Sequence, residues 1–169
     1  MTFDKIIQDI SEDNPLVLHN LQFFQELISN EVLHSSKLIT LNFLDINFTN
    51  VDFMGSHMVN CTFKNCTIKN VIFKRCEFFN STFSNCTFEN CDLTRTYFEG
   101  GEFKNCNFIN TNLWASQFQE FAFIETKFKN SNLDFASVGY SKILTLEEVV
   151  KIEKFSKLKK FFKNTNSND

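Results

Sequence analysis

Between Leu41 and Tyr140 the chain repeats itself every five residues, and that interval limits its fold more than any other feature. Stepping by five from Phe43 to Val138 passes through twenty unit centres. Fourteen are Phe, and the others are Met58, Ile68, Leu93, Leu113, Leu133 and Val138. Two places before the centre stands a slim residue in nearly every unit, including Cys61, Cys66, Cys76, Cys86, Cys91 and Cys106. Leu41, Ile46 and Phe121 are the exceptions. Two places after the centre asparagine dominates, with Gly55, Gly100 and Asp45 in the same slot. An interval of five suits neither a helix of 3.6 residues per turn nor a flat strand of period two. The slim and bulky residues, two apart, point the same way from a short extended stretch. Asn, Asp and Gly tolerate the left-handed backbone angles of a turn. A chain that turns the same way every five residues winds into a coil, whose turns pair their backbones at about 4.8 Å.

Units such as "CDLTR" (91–95), "TNLWA" (111–115) and "SNLDF" (131–135), with "CTFEN" (86–90) as a Phe-centred variant, resemble the pentapeptide repeat proteins, whose units read roughly A(D/N)LXX. The resemblance covers residues 41–140, twenty consecutive units. It implies an all-β solenoid: a right-handed four-sided β-helix with four units per coil, hence about five coils here. Residues twenty apart then lie above one another. Asn50, Asn70, Asn90, Asn110 and Asn130 should form one ladder, Asn65, Asn85 and Asn105 a second, and Cys66, Cys86 and Cys106 an inward column.

Most chemical functions find no support. The formal net charge is −3, with no basic surplus for direct nucleic-acid binding. No run of 18 apolar residues exists, and "MTFDKIIQDISEDNP" lacks the layout of a signal peptide, so a cytoplasmic protein is expected. The cysteine spacings are multiples of five, without the C-x2–4-C pairs of a zinc site; reduced, buried thiols and no bound metal are expected. His19, His34 and His57 are scattered with no exposed nucleophile placed beside them, and four glycines build no phosphate loop. No catalytic residue and no cofactor is expected, and an enzyme is not.

If the interior is filled, function belongs to the outward positions. Met54, Ile72, Trp114 and Phe135 share one column, and Val59, Phe79 and Tyr97 the next, a candidate contact surface for an unidentified protein partner. Glu77, Glu99 and Glu120, with Glu102 and Glu125 around the corner, form the most acidic side. Some members of the resembled family act on DNA gyrase by imitating duplex DNA, which makes a type II topoisomerase the second candidate partner. Lys64, Lys69 and Lys74 around one coil dilute that field, and the units carry no loop insertions.

The flanks read as helices. Residues 1–40 are expected to form an N-terminal helical cap or arm, from Phe3, Ile6, Ile7 and Ile10 at helical spacing and from "LVLHNLQFFQELI" after Pro15. Residues 141–163 are expected to form an amphipathic helix, opened by a Thr145/Glu148 capping box and carrying Leu146, Val150, Phe155, Leu158 and Phe162 on its apolar side. Such a helix would cap the solenoid or pair two copies into a homodimer. Membrane binding through it is a lesser alternative. Residues 164–169 read as a disordered tail.

Overall fold

The computed structural model describes residues 2–7, 15–144 and 149–152. The chain winds as a parallel β-solenoid, and residues twenty apart are in register throughout. The first face stacks seven strands, from Val17–His19 to Ser137–Gly139. The second runs from Gln22–Phe24 to Ser141–Leu144, and the third from Leu27–Ser29 to Lys127–Lys129. On the fourth face the contact narrows to single bridges joining Val32, Asp52, Ile72, Asp92, Asn112 and Asn132.

Each unit makes two recurrent bonds between rungs. The corner amide donates to the rung after it, as Asn65 does to the Ser84 carbonyl at 2.9 Å. The residue after the slim position donates to the rung before, as Thr62 does to Leu41 at 2.8 Å. Every fifth residue from Asn20 to Tyr140 has a positive φ, including Gly55 and Gly100. At four corners to the turn, this makes about six turns.

On the fourth face the corner is a tight turn with a bond across four residues, as from the Ser56 amide to the Phe53 carbonyl at 2.9 Å. Positive φ at its third residue, Gly55 at 71° or Arg95 at 57°, matches a type II turn. The units closest to the A(D/N)LXX pattern sit here for a physical reason. The side chains of Asp52, Asp92, Asn112 and Asn132 each accept the amide two residues on, at 2.9 to 3.2 Å, and so pre-form the turn.

The expected asparagine ladders are present, the longer one running from Asn30 to Asn110 rather than from Asn50 to Asn130. Asn70 donates to Asn50 at 3.0 Å, Asn90 to Asn70 at 3.4 Å and Asn110 to Asn90 at 3.3 Å. On the neighbouring corner Asn85 donates to Asn65 at 3.1 Å and Asn105 to Asn85 at 3.2 Å. Inside, phenylalanine rings stack at the rung spacing: Phe43 on Phe63 at 4.8 Å, Phe63 on Phe83 at 4.6 Å, Phe88 on Phe108 at 4.4 Å.

Three expectations at the ends need correction. The solenoid begins at residue 16, so most of the stretch 1–40 is coil rather than helix, and the turns number about six rather than five. Leu18, Phe23, Ile28, Leu33 and Leu38 continue the buried five-residue series. The pattern is disguised because the first rung has no further rung beneath it. Leu16, Leu21, Glu26 and Glu31 fill slots that are slim elsewhere, and Gln25, Ser35 and Thr40 replace asparagine at corners. The only N-terminal helix among the described residues is Phe3–Ile7. It closes the open end: Phe3 is fully buried, its ring 5.1 Å from Phe23, and its amide donates to Glu26 Oε2 at 2.7 Å.

At the other end Ser141–Leu144 continues the second face, and Val149–Ile152 pairs with it antiparallel, Val150 against Ile143. Residues 141–144 and 149–152 are therefore strand where a helix was expected, and the antiparallel strand covers the sheet edge. The capping box, the rest of the expected amphipathic helix and the tail lie outside the described residues.

Thr40 is a β-branched residue held at φ 56°. Left-handed backbone costs such a residue about 1–2 kcal/mol. Thr40→Asn, which matches Asn20 and Asn60 in the same corner column, is expected to raise stability by about 1 kcal/mol in urea denaturation.

Candidate functional site

The inward slim slot has a chemical task beyond its size. Its hydroxyl or thiol donates to the carbonyl of the unit centre 23 residues earlier: Ser56 Oγ to Leu33 at 2.9 Å, Thr96 Oγ1 to Phe73 at 2.7 Å, Ser116 Oγ to Leu93 at 2.7 Å, Cys76 Sγ to Phe53 at 3.0 Å. Among the described residues no buried side-chain nitrogen or oxygen lacks a partner. Sequence reasoning treated this slot as a matter of volume alone. The available signal was that Ser, Thr and Cys fill it far more often than Ala, which would fit as well.

All six thiols are buried and free. Burial pushes Cys61 up to about 11 and Cys76 and Cys91 up to about 12. Cys86 is raised to about 12, chiefly by its hydrogen bond with Cys106, and Cys66 is raised chiefly by its hydrogen bond with Cys86. A native thiol pKa above the unfolded one means that at high pH the unfolded chain releases its protons first. Stability is then complete below pH 9 and falls as pH rises through the window from about 9 to about 12. Cys76→Ser, which keeps the donor as Ser56 and Ser116 do in the same column, is expected to reduce that alkaline loss in denaturation series at rising pH. The native thiols should react with a thiol reagent at neutral pH only as the chain unfolds.

No set of three or more His, Cys, Asp or Glu side chains among the described residues could hold a metal ion. The chemistry on offer lies on the outside, where the fourth face meets the first. Trp114 stands on the fourth face and Phe135 at its corner one rung further on. Their rings meet edge to face at 5.7 Å, and the Arg95 guanidinium lies 5.2 Å from the Trp114 ring centre. Phe135 is 75% exposed. Ile72 and Met54 lie on the same face, two and three rungs before Trp114. On the first face Val59 is in register with Phe79, whose ring meets Tyr97 edge to face at 5.8 Å. The Tyr97 hydroxyl donates to Glu99 Oε2 at 2.7 Å, which pushes its pKa up. The predicted apolar columns thus form two ring pairs, with Met54 and Ile72 further along the fourth face.

The acidic residues are more dispersed. Glu77 pairs with His57 at 2.9 Å and Glu99 holds the Tyr97 hydroxyl. Glu120 and Glu125 occupy left-handed corners at φ 49° and 48°, and Glu102 belongs to the second face. Of the predicted terminal-helix residues, Val150 lies in the closing strand, and Leu146, Phe155, Leu158 and Phe162 are outside the described residues.

The family model for pentapeptide repeats matches residues 46–85 and 76–114, eight copies in all. The chain carries pentapeptide repeats across residues 46–114. Its described coils extend the repeat beyond the matched residues at both ends. Among solved structures, a pentapeptide repeat protein of the Arabidopsis thaliana thylakoid lumen shares the fold, at 17% identity and a TM-score of 0.54, over 57% of this chain and 68% of the other. QnrB1, a plasmid-mediated fluoroquinolone resistance protein, matches in a trypsin-treated variant at 18% identity and a TM-score of 0.37, over 74% of this chain and 71% of its own. HetL, involved in heterocyst differentiation regulation in Nostoc sp. strain PCC 7120, matches at 7% identity and a TM-score of 0.31, over 83% and 96%. No curated protein matches this chain by sequence.

Proposed function

We propose that this chain is a non-enzymatic interaction scaffold that binds a partner protein through its outer faces. The observation that carries the reading is the pair of aromatic contacts, Trp114 with Phe135 and Phe79 with Tyr97, held on adjoining faces of one rigid ladder. Aromatic side chains fixed on a stiff backbone lose little entropy on binding and serve as anchors. The supporting experiment is affinity capture from the native host with the full chain and with Phe79→Ser and Trp114→Ser combined. Loss of a specific captured protein from the variant, at unchanged thermal midpoint, is the expected result. Equal capture by both rejects these faces as the contact.

A second reading, a DNA-mimicking modulator of a type II topoisomerase, draws on the acidic side. Glu77, Glu99 and Glu120 follow one another on successive rungs of the first face and its corner. A gyrase supercoiling assay with the purified chain tests it. An unchanged rate at excess protein removes it.

A further inference from the structure

On the edge between the fourth and first faces, Arg75 and Arg95 occupy successive left-handed corners, φ 58° and 57°, one rung apart. Both are exposed, and Lys74 stands beside Arg75 on the fourth face. The ion pairs of His34 with Asp52, His57 with Glu77, and Lys69 with Glu89 do not involve these three cations. Like charges one rung apart, about 4.8 Å, repel each other and favour an anion set between them. Beyond them on the same edge the Arg95 guanidinium lies over the Trp114 ring, which meets Phe135 edge to face.

We propose that this edge binds an extended acidic segment of a partner protein, with carboxylates over Arg75 and Arg95 and a large apolar side chain against the exposed side of the Trp114–Phe135 ring pair. The assignment rests on the scaffold reading above and names the chemistry of its partner. From Arg75 to Phe135 is three rungs, about 14 Å, the reach of four or five extended residues. Polarity follows from the side chains at the two ends. The two arginines stand at one end and the Trp114–Phe135 ring pair at the other, so the acidic end belongs at Arg75 and the apolar end at Trp114.

Trp114 is the only tryptophan, and its fluorescence reports on this edge directly. The probe is a short synthetic peptide with alternating Asp and Ser followed by Leu-Phe, titrated into the full chain at low salt. Its controls are the same peptide with Lys for Asp, and an oligothymidylate. The expected result is a saturable change with the acidic peptide that weakens as salt rises and weakens about fivefold or more in Arg75→Ser/Arg95→Ser. No saturable change, an equal response to the lysine peptide, or undiminished binding by the arginine variant overturns the proposal. Tighter binding of the oligothymidylate overturns it in favour of a single-stranded nucleic acid. If host capture depends on Trp114 and Phe79 while the acidic peptide fails to bind, the scaffold reading stands and this partner chemistry falls.

Discussion

Replacing Phe103 by alanine is expected to lower the unfolding free energy by about 3–5 kcal/mol and the thermal midpoint by roughly 10 °C or more. The ring is fully buried where two internal stacks meet. Its centre lies 5.2 Å from Phe98, 4.9 Å from Phe108 and 4.9 Å from Phe121. The surrounding rings are tied to backbone rungs at fixed spacing, so they cannot collapse into the space it leaves. A solenoid core is built from nearest-neighbour contacts, and a cavity in a central rung weakens its interfaces on both sides. Urea denaturation of Phe103→Ala beside Val138→Ala, which trims a smaller side chain in the last rung, checks the claim. Equal losses would mean that the rungs do not act through their neighbours.

The second large effect is at Gly101. It occupies a slim slot between Ser81 and Ser141 of the same column, with the oversized Phe121 on the intervening rung. A Cβ at Gly101 would overlap the Ser81 carbonyl oxygen and approach Phe121 Cε2 at 3.0 Å. The local rung is already stretched. The Glu102 amide reaches Ser81 at 3.4 Å where the equivalent bonds of Thr82 and Ala122 measure 2.9 and 3.0 Å. The ring stack tilts here as well, to 41° between Phe83 and Phe103 against 8° between Phe63 and Phe83. Gly101 and Phe121 therefore exchange volume across one rung. Gly101→Ser is expected to cost about 3 kcal/mol alone, the upper end of overpacking, and at least about 1 kcal/mol less when combined with Phe121→Ser. Strict additivity in the double-mutant cycle would show that the two positions are independent.

The legibility of the fold followed how strictly each rung repeats its neighbours. From residue 41 to 140 the period, the buried centres and the asparagine corners could be read directly, because each unit has the same environment above and below. The first rung was hidden for the opposite reason. With no rung beneath them, Leu16, Leu21, Glu26 and Glu31 are freed from the size limit that makes the slot slim elsewhere, and a stretch such as "LVLHNLQFFQELI" then reads equally well at helical spacing. The candidate surface was half legible. Trp114 and Phe135 could be placed on one face by counting four units from "TNLWA" to "SNLDF", but Arg95 joins them through a corner side chain leaning along the edge, and no spacing rule announces that.

What the sequence determined by itself is the coil: a five-residue beat of slim, bulky and turn-forming residues has few other ways to bury its rings while pairing its backbone. What only the tertiary structure decided is where the coil begins, how Phe3 and the antiparallel strand close its ends, and which exposed side chains meet at an edge. The reason is that the repeat is enforced by contacts from rung to rung, which every internal unit shares, whereas ends and edges depend on contacts that occur once.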